Sequence, residues 1–481
     1  MTPAVSAPRL ARLVGDGALA RPAYRSLAAA IMTLLADGRL VSGTRLPSER
    51  ELTGALGCSR TTVTSAYAVL AERGYLETRR GSGSIAVVPG RLAAASRVLS
   101  PATDLAPDAI DLTCAATRAP AGILEAYAAA LADLPSYLGD NGYAPVGLLD
   151  LRAVIAERFT RRGLATTPEQ IIVTSGAVAG LAVISRALLT RGQRVLLESP
   201  SYPNAMAALA MEGARTVAIP VDAAGWDLDE AARIVPASGA SAAYLIPDFH
   251  NPTGALLDDS GRERLAGLLA AADVRPIIDE TIADIDLDGG PPVRPFGCFS
   301  PGAIVLGSAA KVFWGGLRIG WIRVPTALAS RVVSARATLD LGAPILEQLV
   351  LMHLLVTHDG LPAARRTELL AARDATVEAV GTHLPHARFV VPRGGLTLWV
   401  DMGDLPVGGL VLAAAEAGLL VAAGPQFAPV GGFERFIRIP YVAAPAVMTD
   451  AVARLARAAE ELRAGGVTAL THPPRAGGFV A

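Results

Sequence analysis

The chain has 481 residues, too many for one ordinary domain, so two or three are expected. With 52% apolar residues it can fill large cores and is not disordered overall, and its net charge of −1 identifies no partner. Cys58, Cys114 and Cys298 match no metal spacing and no disulfide framework; the start lacks a secretory pattern, and no apolar stretch reaches the roughly 20 residues of a membrane span. These features predict a cytoplasmic protein with no membrane segment and no metal.

Residues 1–20 read as a loose leader. A helix is predicted from Ala23 to Ala36, with Tyr24, Leu27, Ile31, Leu34 and Leu35 at helical spacing. Ser48 and Glu51 form a capping-box pattern, so a second short helix starts there and stops at Gly57. Ser59 caps a third helix running to about Arg73, with Val63, Tyr67 and Leu70 inward and Gly74 ending it. Two strands, Tyr75–Arg79 and Ser84–Val88, then flank Arg80-Gly81-Ser82-Gly83 as a hairpin. Three helices and a hairpin make a winged helix-turn-helix over residues 21–88.

Residues 89–108, rich in Pro, Ala and Ser, read as a linker that spans about 25 Å if flexible. From residue 109 to 343 strand-like and helix-like segments alternate, as in an α/β domain. Ile171–Thr174, Arg194–Glu198, Ala243–Pro247, Pro276–Asp279 and Ala303–Gly307 suit buried parallel strands. Residues 344–467 form a smaller domain, in which Gly408–Gly424 reads as a buried helix. The Pro/Gly-rich residues 468–481 read as a disordered tail.

Charge and composition add two signals. Between Arg21 and Val88 nine arginines face five acidic residues, a balance of +4 that leaves −5 for the remainder. A basic module on an acidic body points the front end at nucleic acid, although ordinary charge scatter gives a similar figure. The second signal is sharper: Lys311 is the only lysine among 43 basic residues. Arginine replaces lysine in most surface roles but cannot form a Schiff base, which needs a primary amine able to lose its proton.

The strings P-S-E-R-E-L, G-C-S-R-T-T-V, G-Y-L and R-R-G-S-G-S closely resemble the GntR family of bacterial winged-helix regulators, over about Arg21 to Val88. The third helix presents Arg60, Thr61 and Thr62 at the end that enters the major groove of double-stranded DNA in helix-turn-helix docking. Arginine forks onto guanine, and Ser48, Ser59 and the threonines bond phosphates or bases. Arg45, just before Pro47, is placed for phosphate. The resemblance adds Arg50 and the wing residues Arg79 and Arg80.

Separated motifs between residues 110 and 465 together resemble the fold-type I pyridoxal-phosphate enzymes of the aspartate aminotransferase superfamily. Lys311, in G-S-A-A-K-V-F-W-G-G-L-R-I-G, is the amine that would take the cofactor aldehyde; Arg318 and Ser308 match its phosphate ligands. Asp279, ending R-P-I-I-D, would sit under the pyridine nitrogen and keep it protonated. Asn251, in N-P-T-G, would donate to the phenolic oxygen. Ser175-Gly176-Ala177 joins a strand to a helix whose free N–H groups suit a phosphate, and Tyr202 matches the aromatic that stacks on the ring. By the same resemblance Tyr143 reaches the partner subunit's phosphate, implying a homodimer, and Arg438 holds a substrate carboxylate. Plainer alternatives stay open: a helix cap for Asp279, a packed loop tyrosine for Tyr202, and a cross-strand ion pair for Arg438.

The motifs also depart from the pattern. Thr281 and Ile282 stand where a tyrosine is usual, Ala310 where serine is usual, and Ala177-Val178 where Ser and Gln are frequent. These changes predict weak or absent transaminase activity. A GntR-type front on an aminotransferase-like body resembles the MocR subfamily of regulators. It implies an α/β body holding pyridoxal phosphate on Lys311 and sensing it, or a small-molecule amine or amino acid effector. The alternatives are a working aminotransferase carrying an accessory DNA-binding module, and a vitamin-B6 carrier.

Overall fold

A computed structural model describes residues 4–15, 21–79, 83–88, 99, 106–358 and 360–465. Four helices open the chain: α1 (Ala7–Val14), α2 (Ala23–Ala36), α3 (Glu49–Leu56) and α4 (Arg60–Glu72). Strands β1 (Thr44–Arg45), β2 (Leu76–Arg79) and β3 (Gly83–Ala86) form an antiparallel sheet in the order β1-β3-β2. The capping box forms, with Glu51 N–H donating to Ser48 Oγ at 3.3 Å and Ser48 N–H donating to Glu51 Oε2 at 2.9 Å. Gly57, at φ 63°, takes the left-handed conformation that ends α3. Ser59 Oγ accepts from Thr62 N–H at 3.1 Å to start α4, and buried Tyr67 donates to Pro47 O at 2.8 Å, locking α4 to the approach of α3.

Two expectations change here. Residues 1–20 were expected to be a loose leader, yet α1 packs on α3 with Leu10 fully buried, and Val5 N–H donates to Arg45 O at 3.1 Å. Leu10, Leu13 and Val14 pack on the core, but eight residues are too short a window for the helical period to stand out. The strand β1 was not foreseen either, since two residues cannot display an alternation.

The winged helix does not hang free. Leu27, Ala28, Ala29, Ile31, Met32, Leu34, Leu35 and Ala36 are all buried, so α2 is covered on more than one face. One face meets α4, and another meets the helix Val407–Glu416 of the smaller domain. Gly408 makes that approach possible: a Cβ there would lie 2.3 Å from Thr33 Cγ2. Of the expected linker, Leu99 and residues 106–108 are described. Leu99 is buried against Trp399, Ala422 and Phe427. Its N–H donates to Asn204 Oδ1 at 2.7 Å and its carbonyl accepts from Asn204 Nδ2 at 2.9 Å.

The large sheet has eight strands in the order Ile171–Thr174, Gly320–Arg323, Ile304–Ser308, Arg275–Asp279, Ala240–Leu245, Arg194–Ser199, Arg215–Asp222 and Gly225–Trp226. Its central pairs are parallel; Gly320–Arg323 runs antiparallel to both neighbours. The strand expected at Ala243–Pro247 lies at Ala240–Leu245. It stops there because Ile246 N–H turns to the buried carboxylate of Glu198, at 2.9 Å, and Pro247 has no donor.

The smaller domain carries a four-stranded sheet in the order Thr397–Asp401, Phe436–Pro440, Leu419–Ala423, Ile110–Leu112. Residues 110–112, read from sequence as part of the larger domain, pair in parallel with Leu419–Val421. The apolar stretch Gly408–Gly424, expected as one buried helix, is a helix to Glu416 and a strand from Leu419, divided by Gly418 at φ 74°. A short apolar run has no period that separates the two. No helix among the described residues is long and apolar enough to cross a membrane.

Candidate cofactor site and nucleic-acid interface

Parallel strands deliver their carboxyl ends to one edge of the sheet, where ligands of open α/β sheets bind. Asp279 and Ser308 end adjacent strands there, and Thr174 leads into the turn Ser175-Gly176. Gly176, Ala177, Tyr202, Asn251, Asp279, Ser308, Lys311 and Arg318 line one cavity, together with Tyr244, Thr281, Ile282 and Ala310.

At one end, the helix Ala177–Leu188 begins after Gly176, at φ 105°; its first N–H groups have no partner within the helix, and Gly176, Ala177 and Val178 line the cavity. Arg318, itself left-handed at φ 51°, lies exposed beside it and donates to Ser175 O at 2.9 Å. A Cβ on Gly176 would sit 2.9 Å from Arg318 Nη2, so glycine is what lets the guanidinium reach the helix start. Ser308 Oγ accepts from Ala310 N–H at 3.1 Å and steadies the turn that carries Lys311.

Lys311 Nζ donates to Ala115 O at 2.6 Å. The stem keeps some surface while the amine is packed around by protein. Burial, and after it the charge of Arg438, push its pKa down to about 8, so loss of the proton is much easier than for a free lysine. Asp279, 6% exposed, accepts from Tyr244 O–H at 2.5 Å and from Thr281 N–H at 2.9 Å. Tyr202 closes one wall, and burial pushes its phenol up to about 12, so it stays neutral.

Arg438 is 1% exposed and lies behind Asn251, donating to Asn251 Oδ1 at 3.3 Å and to the carbonyl of Thr113. Its guanidinium stands 4.9 Å from the centre of the Phe427 ring, and burial pulls its pKa down to about 10. Tyr143 is not brought to the cavity of its own chain: it is 64% exposed and absent from the cavity lining.

On the winged helix, Arg45, Ser48, Arg50, Ser59, Arg60 and Thr61 are exposed and Thr62 is half-buried. Ser59 Oγ lies 2.7 Å from Thr61 Oγ1 and 2.8 Å from Thr62 Oγ1, a hydroxyl cluster at the start of α4. Arg60 reaches outward, 3.8 Å from Glu49 Oε2. The Ser48 hydroxyl is held by Glu51 at 2.8 Å, which leaves it less free for DNA than its exposure suggests. Arg79 ends β2, and Arg80 lies outside the described residues.

Sequence reasoning passed over Tyr244, the carbonyls of Thr113 and Ala115, Phe427, and the Leu99–Asn204 pair. Tyr244 left one signal: a tyrosine inside the apolar run A-A-Y-L-I must find a partner for its hydroxyl once buried. Backbone carbonyls leave no trace in a sequence.

Comparison with known proteins agrees with this geometry. Residues 112–455 match the family model "Aminotransferase class I and II", and residues 23–85 match "Bacterial regulatory proteins, gntR family". The chain is 30% identical over 412 residues to the HTH-type pyridoxine biosynthesis transcriptional regulator PdxR of Corynebacterium glutamicum, covering 82% of this chain and 86% of that protein. It is 31% identical over 339 residues to the probable rhizopine catabolism regulatory protein MocR of Rhizobium meliloti, covering 65% and 68%. Among solved structures, LysN, the alpha-aminoadipate aminotransferase of Thermus thermophilus complexed with N-(5'-phosphopyridoxyl)-L-leucine, aligns at TM-score 0.68 and 26% identity, over 74% of this chain and 93% of that one. A body of the class I and II aminotransferase family, fused behind a GntR-type winged helix as in the MocR regulators, is thus the family to which this chain belongs.

Proposed function

We propose that the chain is a DNA-binding transcription regulator whose aminotransferase-type body binds pyridoxal phosphate at Lys311 and responds to an amine or amino acid. The observation that carries this reading is the placement of the chain's single lysine. Its depressed amine shares a cavity with Asp279, Asn251 and Arg318, while a winged helix with an exposed Arg60 packs on the same body.

The residues fit the cofactor group by group. The first N–H groups of the helix Ala177–Leu188 and the Arg318 guanidinium suit a phosphate, one by dipole and one by forked hydrogen bonds. Asp279 offers a fixed carboxylate to a ring nitrogen, Asn251 an amide to a phenolic oxygen, and Tyr202 a face for the ring. When bound, the cofactor supplies an electrophilic carbon for amines and a ring that withdraws electrons. Lys311 takes up and releases the proton that amine exchange requires, with Ala115 O orienting its nitrogen. Arg438 meets a ligand carboxylate on leaving Thr113 O, and the buried setting strengthens that pairing.

The working unit is a homodimer. Tyr143 is exposed, and so are Leu124, Leu131, Leu138 and Leu149, apolar groups suited to burial against a second copy. Ligand binding then changes the closure of the two body domains, and the winged helix follows because α2 rests on the smaller one. A ligand shifts this balance only by its unequal affinity for the two closures.

A second reading, a working aminotransferase, is favoured by the likeness to LysN. Thr281, Ile282 and Ala310 weigh against it, because they line the cavity without the phenol and the serine hydroxyl that usually tune the cofactor. Footprinting on DNA upstream of neighbouring genes, with and without pyridoxal phosphate and candidate amines, tests the proposal. Protection that changes with the small molecules supports it. Unchanged protection combined with turnover of amino acid and 2-oxo acid would favour the enzyme.

A further inference from the structure

The carboxylate of Asp279 is gripped from two separate elements. Tyr244, on the strand Ala240–Leu245, donates its hydroxyl to Oδ2 at 2.5 Å, and Thr281, in the turn beyond the neighbouring strand, donates its N–H to Oδ1 at 2.9 Å. Tyr244 is 1% exposed and Asp279 6%, so both bonds form where water competes little. The O–H···O length falls in the range of bonds to an ionised carboxylate, about 2.5–2.7 Å. The two bonds hold the plane of the carboxylate, and both Asp279 and Tyr244 line the cavity. The phenol reaches the carboxylate from a neighbouring strand, a different place from positions 281 and 282.

From this pairing we propose that Tyr244 is a positioning residue that holds the Asp279 carboxylate aimed at the pyridine nitrogen, and so sets how strongly the bound ring withdraws electrons. The inference rests on the reading of the cavity as a pyridoxal-phosphate site. A carboxylate held in line supports the proton on the ring nitrogen. Without the phenol, Asp279 turns more freely and supports that proton less well. The ring then withdraws less, and the cofactor-linked nitrogen at Lys311 holds its own proton more tightly.

The test uses the full-length protein reconstituted with cofactor carrying nitrogen-15 in the ring. In Tyr244→Phe the ring-nitrogen resonance should move toward the unprotonated position. The pH midpoint of the cofactor's visible absorbance should rise by about one unit, a tenfold change in proton affinity. Wild type with 3-fluorotyrosine placed at position 244, a stronger donor of nearly the same shape, should move the midpoint down. Tyrosine serving only to fill space would leave both readouts unmoved when the phenol is fluorinated. A coloured Tyr244→Phe protein with unchanged resonance and midpoint overturns the inference; if that variant fails to fold, an unmoved midpoint in the fluorinated protein does so. A wild type that takes up no cofactor overturns the site reading and this inference together.

Discussion

Arg438 directs its guanidinium at the backbone carbonyl of Thr113, the residue that follows the strand Ile110–Leu112. Two segments more than 300 residues apart are thereby joined at the back of the cavity. A ligand carboxylate that draws Arg438 away also releases Thr113. Arg438→Gln should therefore weaken an amino acid ligand by about 1.5–3 kcal/mol, the contribution of hydrogen bonds to a charged group. Binding of the matching amine without a carboxylate should barely change. Titration calorimetry with the two ligands checks this, and equal losses for both would remove the carboxylate role.

Lys311 gives a pH prediction. Its native pKa of about 8 lies below the free value of 10.5, so the neutral amine becomes the major form above pH 8. About one amine in ten is neutral at pH 7, where an ordinary lysine has fewer than about one in a thousand. The rate at which added pyridoxal phosphate colours the cofactor-free protein should rise through a midpoint near pH 8. Lys311→Ala should stay colourless. A midpoint near 10.5 would mean the amine is solvated like any surface lysine.

Arg60 stands exposed at the start of α4, held only loosely by Glu49. Arg60→Ala should cost about 1–3 kcal/mol in operator affinity if it reads a base. Non-specific binding should fall much less. A gel-shift series on operator and scrambled DNA separates the two, and a uniform loss would assign Arg60 to phosphate.

The seam between α2 and the helix Val407–Glu416 can be tested at Gly408. A side chain there meets Thr33 at once, so Gly408→Leu overpacks the contact and should destabilise the docked winged helix by about 1–3 kcal/mol. Amide exchange in α2 should speed up while the cofactor cavity is unaffected. DNA binding should persist but lose its response to ligand. Unchanged exchange in α2 would mean the module docks elsewhere in solution.

Much of this architecture was legible in the sequence because it depends on short local rules. The capping box at Ser48 and Glu51, the stop at Gly57 and the apolar strands of the large sheet follow from residue types a few positions apart. The cavity was legible as separate motifs around Lys311, Asp279, Asn251 and Arg318, each chemically distinctive. Contacts between distant segments were not. The docking of α2 depends on one missing side chain at position 408, and the place of residues 110–112 depends on which sheet edge lies near. Strand and helix within 408–424 could not be told apart, since every residue there except Glu416 is apolar or small.

The confinement of the only ε-amine to the cofactor cavity has a consequence for how the protein can be controlled. Acetyl, methyl and ubiquitin groups attached to lysine side chains have no acceptor on the DNA-facing surface. The positive charge of that surface is carried by guanidinium groups alone, which stay protonated across the physiological range. Lysine acylation therefore cannot change the charge of that surface, while shielding by salt still can.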